Sequence, residues 1–204
     1  MITLIDYGVG NIFAFQNVYK RLDIPTKIAK TFADLIDIEK LILPGVGSFD
    51  YAMNQLNNSG MREKLDELVL EKKVPVIGIC VGMQMMGNRS DEGKLDGLKW
   101  IDAEILKFDE GLIQQRTKLP HMGWNDVSPT EEHPLFIGLE KEAIFYFLHS
   151  FYFKCNNSND SIANSEYGIS FSSAVNHNNI YGIQFHPEKS HQYGEKLLHN
   201  FAKL

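Results

Sequence analysis

Val74-Pro75-Val76-Ile77-Gly78-Ile79-Cys80-Val81-Gly82 is the stretch of sequence that decides the fold. An apolar run of this length, with its proline near the start, is typical of a short buried strand. The residues that follow, Met83-Gln84-Met85-Met86, begin an apolar helix. Because a buried strand that passes directly into a helix is the repeating unit of α/β sheets, the segment predicts an α/β protein.

The rest of the chain has the same alternation of apolar runs and amphipathic stretches. In the first half we expect strands at residues 2–5, 26–29 and 40–43, and helices at 12–22 and 61–72. The second half is richer in aromatic and β-branched residues, and we expect strands at 100–108, 143–153, 170–175 and 180–185. A polar turn at 156–160 and a helix at 195–204 complete the prediction. The sequence has no repeat, low-complexity segment or linker, so one domain is expected.

Composition narrows the classes of function. The formal net charge is -6, which argues against a nucleic-acid partner because no basic field would attract phosphates. No apolar run approaches the roughly 18 residues needed to span a bilayer. The first ten residues contain Asp6 and lack the basic start of a secretory signal. Two cysteines are too few for a disulfide framework, so a reduced, cytoplasmic setting without membrane contact is expected.

Cys80 has the context of a nucleophile. Gly78-Ile79-Cys80-Val81-Gly82 is the cysteine counterpart of the serine nucleophile elbow. Small residues two positions to either side avoid backbone clashes at such a sharp turn, and a helix N-terminus favours a thiolate. A small core cysteine between packing glycines is the alternative, and this segment alone leaves both open. Cys155 follows Lys154 at a strand end without such a context, so we interpret it as structural.

His186 is the histidine best placed to act as the base. It ends the apolar run 180–185, and the carboxyl ends of strands carry the site in an open α/β sheet. Pro187 stiffens the next turn, so Glu188 can reach back to orient the imidazole. His121 and His149 stay open as further candidates, and no His/Cys spacing matches a zinc site. The other histidines lie in polar or helical surroundings and are interpreted as surface residues: His133, His177, His191 and His199.

Two glycine-containing segments are candidates for ligand-binding loops. The run Leu41-Ile42-Leu43 leads into Pro44-Gly45-Val46-Gly47-Ser48, whose glycines permit close approach of a ligand and alternative peptide orientations. A tight turn into a helix is the alternative. A phosphate loop is excluded because no Gly-Lys-Ser/Thr follows. Gly8-Val9-Gly10 has Phe13 at the third position of a dinucleotide fingerprint, so this second segment fails as well.

Five motifs together resemble class I glutamine amidotransferases. Three have the order and spacing of that family: Pro44-Gly45-Val46-Gly47, Gly78-Ile79-Cys80-Val81-Gly82-Met83-Gln84 and Phe185-His186-Pro187-Glu188-Lys189-Ser190. Two more narrow the resemblance to glutaminase subunits of imidazole glycerol phosphate synthases, from histidine biosynthesis: Asp6-Tyr7-Gly8-Val9-Gly10-Asn11-Ile12 and Pro120-His121-Met122-Gly123-Trp124-Asn125. The resemblance implies that residues 1–204 form one glutamine amidotransferase type 1 domain. Its fold would be doubly wound and flavodoxin-like, with a mixed central sheet.

The resemblance also implies a mechanism that needs no cofactor and no metal. Cys80 would attack the side-chain amide of glutamine, His186 would shuttle the proton, and Glu188 would hold the imidazole. Ammonia would leave, and water would release glutamate from the thioester. The oxyanion would be bound by the amides of Val46 and Val81, in a segment that includes Gly45 and Gly47. Four positions match those that hold glutamine: Gln84, Glu92 and the backbone of Ser150 and Phe151.

A partner is implied as well. Ammonia would pass to a (β/α)₈-barrel synthase subunit in a heterodimer without meeting bulk water, where it would be protonated and lose its nucleophilicity. Six residues match positions at that interface: Asn11, His121, Met122, Trp124, Tyr146 and Lys189. We expect residues 120–125 to form a loop with exposed side chains. We also expect the Gly45–Val46 peptide to rest with its amide turned away from the oxyanion site until partner and ligand shift the population.

Two segments depart from the commonest histidine-pathway pattern. Gly97-Leu98-Lys99-Trp100-Ile101 has a tryptophan where an aliphatic residue is usual, and Ser190-His191-Gln192-Tyr193-Gly194 replaces a smaller stretch. Both features also resemble paralogues that supply ammonia for amidino-sugar formation in surface polysaccharides. A non-catalytic binding or scaffold protein on the same fold is a third interpretation. The complete set of Cys80, His186 and Glu188 argues against it.

Overall fold

Parallel strands from the first half of the chain form one side of a large sheet in this computed structural model, which describes residues 1–141 and 143–204. The strands follow one another along the chain as β1 (Ile2–Ile5), β2 (Thr26–Ala29), β3 (Lys40–Gly45), β4 (Val76–Cys80), β5 (Arg89–Ser90), β6 (Ala103–Lys107), β7 (His121–Asp126), β8 (Ser128–Pro129), β9 (Ile144–His149), β10 (Phe151–Cys155), β11 (Ser161–Tyr167), β12 (Ile169–His177) and β13 (Ile180–Ile183).

Helices connect several of the strands, and a further helix ends the chain. The α-helices are α1 (Ile12–Arg21), α2 (Phe49–Asn58), α3 (Arg62–Asp66), α4 (Val81–Gln84) and α5 (His191–Lys203). A π-helix, Glu67–Glu71, continues α3 without a break. Single 3-10 turns lie at Phe32–Asp34, Pro134–Phe136, Ser158–Asp160 and Pro187–Lys189.

The large sheet has the order β2-β1-β3-β4-β13-β12-β10-β6-β5, with β11 and β8 joined beside β12. Strands β2, β1, β3, β4 and β13 are mutually parallel, whereas β12 and β10 run antiparallel to their neighbours. The predicted doubly wound α/β fold with a mixed central sheet is confirmed. Since β3, β4 and β13 are adjacent and parallel, their carboxyl ends lie side by side at one edge, where such sheets carry their sites.

The early strands form because their sequences are continuously apolar. All four residues of β1 and all five of β4 are buried, as expected for strands covered on both faces. The predictions for residues 2–5 and 26–29 match β1 and β2, and β3 extends two residues beyond the predicted 40–43. The predicted helix at 61–72 divides into α3 and the π-helix. Helix α5 begins four residues before the predicted start at 195.

The single strand predicted at 143–153 is wrong, because the chain changes sheets at Ser150. Strand β9 pairs with β7 in a separate two-stranded sheet, and β10 joins the large sheet between β12 and β6. The polar pair His149-Ser150 interrupts the apolar and aromatic run at the break, but so short an interruption does not by itself indicate a change of sheet. The break places His149, Ser150 and Phe151 at the edge where the parallel strands end.

The loop predicted for residues 120–125 is also wrong, since residues 121–126 form β7. Its side chains alternate: His121 is buried, whereas Met122 and Trp124 are exposed at 62% and 46%. Gly123 between them has a φ of 129°, which a side-chain-bearing residue rarely adopts. Within the described residues, no helix is long and apolar enough to cross a membrane.

Candidate active site

Cys80 lies at a sharp turn between β4 and α4. Its φ of 55° and ψ of -115° are strained for a residue with a side chain, and the surrounding close packing sustains them. A Cβ at Gly78 would lie 2.7 Å from the Gly82 carbonyl oxygen, and a Cβ at Gly82 would overlap the Leu43 carbonyl oxygen. The prediction that the elbow needs these two glycines is confirmed. Helix α4 begins earlier than expected and has only one turn, so its dipole is small.

His186 and Glu188 form a buried ion pair behind the cysteine. The Nδ1 atom of His186 lies 2.9 Å from Oε1 of Glu188, and the two side chains are 5% and 4% exposed. The backbone N–H of His186 donates to the Tyr146 carbonyl oxygen at 2.8 Å, and Ser190 Oγ donates to the His186 carbonyl oxygen at 2.6 Å. These contacts fix the imidazole on the carboxyl side of β13, with its second nitrogen available to the site.

The surroundings of His186 favour its charged form. Burial opposes protonation, but hydrogen bonds and charges from Cys80 and Glu188 outweigh it and raise the pKa of His186 to about 10. An imidazolium at neutral pH is the form that pairs with a thiolate and can donate a proton to a leaving group. The arrangement therefore suits nucleophilic chemistry at sulfur.

A cavity of about 280 Å³ opens at Cys80 and brings together most of the residues that the sequence singled out. Eleven of them line it: Val46, Gly47, Cys80, Val81, Gln84, Glu92, His149, Ser150, Phe151, His186 and Lys189. Gly45 pairs in register with Cys80, and Glu188 lies behind His186. A site of this size accepts a small polar molecule.

Glu92 connects the cavity to the segment that follows β3. Its Oε2 atom accepts a hydrogen bond from the Phe49 backbone N–H at 2.8 Å, which caps the first turn of α2. In return, the Asp50 carboxylate in α2 accepts from the backbone N–H groups of Lys94 and Leu95 at 2.9–3.1 Å. These reciprocal contacts hold Glu92 beside the Val46–Gly47 turn. The predicted turn into a helix is confirmed, and Val46 and Gly47 of the same turn line the cavity.

Gln84 and Gln184 form an amide pair beside Cys80. Gln84 Nε2 donates to the Phe151 carbonyl oxygen at 3.1 Å and to Gln184 Oε1 at 2.9 Å. Gln184 Nε2 in turn donates to Cys80 Sγ at 3.6 Å. In the sequence, Gln184 lies inside the apolar run 180–185. A single amide in such a run, two positions before His186, was the signal that could have identified it, because a buried amide needs hydrogen-bond partners.

His121 and His149 form a second buried pair near the cavity. His121 Nδ1 lies 2.9 Å from His149 Nε2, and His149 Nδ1 lies 2.8 Å from the Phe151 carbonyl oxygen. Because a carbonyl only accepts, His149 carries its proton on Nδ1 and accepts from His121. Burial lowers the pKa of His121 to about 4, and burial with the nearby His121 charge lowers that of His149 to about 3. Both rings are neutral at physiological pH.

Of the six residues expected at a partner interface, four lie together on the surface, and Asn11 and His121 lie apart from them. Trp124 and Tyr146 face each other across β7 and β9, with ring centroids 6.2 Å apart, and Lys189 Nζ lies 5.5 Å from the Tyr146 centroid. Met122 and Trp124 also line a second cavity, of about 410 Å³, beside this cluster. Asn11 is exposed and caps α1 through the Ala14 N–H at 3.2 Å, whereas the His121 ring is buried.

The remaining candidates lie away from the cavity. Cys155 is half-buried, and burial raises its pKa to about 11, so it is a poor nucleophile. His177 and His191 are exposed, whereas His133 and His199 are half-buried. Among residues 1–141 and 143–204, no three His, Cys, Asp or Glu side chains are grouped as a metal site would need.

Comparison with known proteins gives one family. The family model described as glutamine amidotransferase class-I matches residues 3–204. A protein of Bdellovibrio bacteriovorus named imidazole glycerol phosphate synthase subunit HisH is 55% identical over 209 residues, covering all of both chains. Its counterpart of the same name in Leptospira interrogans is 48% identical over 204 residues, again covering all of both.

Solved structures agree on the fold. PurLQS from Thermotoga maritima superposes with a TM-score of 0.74 at 14% identity, covering 99% of this chain and 97% of that one. At this identity the likeness concerns the fold alone.

Proposed function

The chain belongs to the class I glutamine amidotransferase family, and from this premise we propose that it is the glutaminase subunit of an imidazole glycerol phosphate synthase. It hydrolyses glutamine to glutamate and supplies the ammonia to a synthase subunit in histidine biosynthesis. The observation that carries the proposal is Cys80, strained at its elbow and opening on the same cavity as the buried His186–Glu188 pair. The full-length relatives named HisH support the pathway.

The chemistry proceeds in two halves. The Cys80 thiolate attacks the amide carbon of glutamine, and the His186 imidazolium gives its proton to the departing nitrogen, which leaves as ammonia. Neutral His186 then takes a proton from water, and the resulting hydroxide attacks the thioester. Glutamate leaves and the thiolate–imidazolium pair is restored. Glu188 keeps the imidazole in the orientation that serves both halves.

Substrate and oxyanion are held by the walls of the cavity. The Glu92 carboxylate suits the α-ammonium group of glutamine, and Gln84 and the backbone of Ser150 and Phe151 suit its polar atoms. The backbone N–H groups of Val46 and Val81 serve the oxyanion. Support comes from the place of Val46 and Val81 in the cavity wall beside Cys80.

The partner is a (β/α)₈-barrel synthase subunit that docks on the cluster of Met122, Trp124, Tyr146 and Lys189. The exposure of Met122 and Trp124 supports this face, since exposed aromatic and methionine side chains anchor interfaces. Lys189 lines the cavity and also approaches Tyr146, so the docking face and the site of ammonia release adjoin. His191 stacks on Trp124, with ring centroids 5.4 Å apart, so the divergent segment 190–194 reaches this face.

The test is glutamate release by the purified chain with and without its barrel subunit, together with rescue of a histidine auxotroph that lacks its own glutaminase subunit. We expect glutamine-dependent synthesis in the complex and growth without histidine. The matched pair of controls is Cys80→Ser, which should fail in both assays, and Cys155→Ser, which should succeed. Glutaminase activity without rescue would favour the polysaccharide paralogue. Absence of glutaminase activity in the complex would favour the third interpretation, a non-catalytic binding or scaffold protein.

A further inference from the structure

Gln184 is a fully buried amide at the carboxyl end of β13. Its backbone N–H donates to the Ser173 carbonyl oxygen at 2.9 Å, which holds the main chain in the sheet. A buried amide side chain needs hydrogen-bond partners for its polar atoms. Gln184 has them inside the active site, where Oε1 accepts from Gln84 at 2.9 Å and Nε2 donates to Cys80 Sγ at 3.6 Å.

The direction of this amide is determined by the backbone. The Phe151 carbonyl oxygen can only accept, so the group of Gln84 that faces it at 3.1 Å must be the NH₂ group. The same NH₂ group faces Gln184, which must therefore present its oxygen. The remaining end of the Gln184 amide is then its NH₂ group, and this end faces the sulfur. Turning either amide over would place two donors or two acceptors against each other.

We propose that Gln184 is a positioning residue for glutamine hydrolysis, which donates an N–H to the Cys80 sulfur and fixes the Gln84 amide in its orientation. The inference rests on the proposed role of Cys80 as the nucleophile. A donor at the sulfur favours the thiolate over the thiol. Both donated bonds of Gln84 are directed into the protein, which leaves its oxygen to accept from the substrate.

Gln184 and His186 act on the sulfur in different ways. His186 supplies a positive charge and a mobile proton, whereas Gln184 supplies a neutral donor that keeps its protons at every working pH. Gln184 therefore holds the sulfur in position by a hydrogen bond, and His186 exchanges protons with it. Loss of Gln184 should weaken thiolate formation and also loosen substrate binding through Gln84.

The test is the alkylation of Cys80 by iodoacetamide as a function of pH, in the full chain with Cys155→Ser so that one thiol remains. Gln184→Met has a similar length, lacks the donor, and leaves Gln84 its bond to Phe151. We expect the midpoint of its alkylation profile to rise by about one pH unit, which lowers the rate about tenfold at pH values below the midpoint. Gln184→Glu, which places a negative charge at the sulfur, should shift the midpoint further.

Ser173→Ala is the matched control, because Ser173 is also fully buried in the neighbouring strand and its hydroxyl has no partner among the described residues. Its alkylation profile should equal that of the parent. In the complex with the barrel subunit, Gln184→Met should lower kcat and raise KM for glutamine together. Circular dichroism establishes which variants are folded. The alkylation profile of Gln184→Met or of Gln184→Glu is sufficient for the test, provided that this variant is folded.

An unchanged alkylation profile in a folded Gln184 variant overturns the inference, and so does an equal shift in Ser173→Ala. Failure of the unaltered complex to release glutamate rejects the proposed function instead. The two failures are distinguishable, because alkylation is measured on the chain alone and needs neither glutamine nor a partner.

Discussion

Two buried pairs lie close to one cavity, His186 with Glu188 and His121 with His149, and their histidines differ in charge. His186 is paired with a carboxylate, and its pKa is raised to about 10. His149 is paired with another imidazole, and its pKa is lowered to about 3. Both rings are equally inaccessible, so burial alone does not set the protonation state. The chemical nature of the partner decides whether a buried imidazole is charged and can donate a proton, or is neutral and makes structural hydrogen bonds.

The largest difference between the pairs should appear in turnover. His186→Gln should lower kcat for glutamine by roughly 10³-fold or more, because the leaving nitrogen loses its proton donor. Ammonia-dependent synthesis by the barrel subunit should persist, since that reaction bypasses the cavity. His121→Gln is the matched substitution in the neutral pair, and it should retain most of the turnover. Equal losses in the two variants would remove the distinction.

A second prediction concerns the carboxylate. Glu188→Gln preserves the shape of the side chain but removes the charge that supports the imidazolium, and kcat should fall by about 10²- to 10⁴-fold. The pKa of His186, followed by NMR of its ring nitrogens, should decrease in the variant. Glu195→Gln, which removes a half-buried carboxylate paired with Arg21 away from the cavity, is the control. A normal kcat in Glu188→Gln would show that the carboxylate is dispensable.

A third prediction concerns the exposed side of β7, whose buried side carries His121. Trp124→Ala should weaken binding of the barrel subunit by about thirtyfold, because truncating an aromatic anchor costs about 2 kcal/mol. The ratio of glutamate formed to product formed should rise above one as ammonia escapes. Phe32→Ala, at an exposed aromatic residue in a distant 3-10 turn, is the control. Unchanged affinity and ratio in Trp124→Ala would exclude this face.

A smaller effect should appear in stability against pH. The neutral pair must take up protons on unfolding in acid, because the unfolded pKa is near 6.5 and the folded values are about 4 and 3. The stability that it contributes is therefore complete above pH 6.5 and is lost as the pH falls towards 4. His149→Gln should flatten this dependence by roughly one proton. Chemical denaturation between pH 4 and 8 measures it, and an unaltered slope would contradict the assignment.

The pair of His186 and Glu188 should affect the stability at alkaline pH instead. The raised pKa of His186 means that the folded chain holds a proton that the unfolded chain releases above about pH 6.5. Its contribution to stability is complete below that pH and is lost as the pH rises through about 10. His186→Gln should therefore weaken the loss of stability between pH 7 and 10, and a steeper loss would contradict the raised pKa.

The sequence was sufficient for those features that depend on local pattern. The buried strands β1 and β4 are continuous apolar runs, and the glycines around Cys80 predict the elbow, because both depend on residues adjacent in the chain. The passage from β9 to β10 at Ser150 could not be predicted, since it is decided by which strands offer free edges. Gln184 was missed for a similar reason: its partners Cys80 and Gln84 are about 100 residues away in the chain.

The central claim is that Cys80 forms a covalent intermediate with the substrate, and mass spectrometry of the acid-quenched complex tests it most directly. The chain and its barrel subunit are mixed with glutamine, quenched within the first turnovers, digested and mapped. The account predicts a γ-glutamyl thioester on the peptide that contains Cys80, formed at unchanged extent in Cys155→Ser and absent in Cys80→Ser. An adduct on Cys155, or glutamate release in Cys80→Ser at the parent rate, would contradict it.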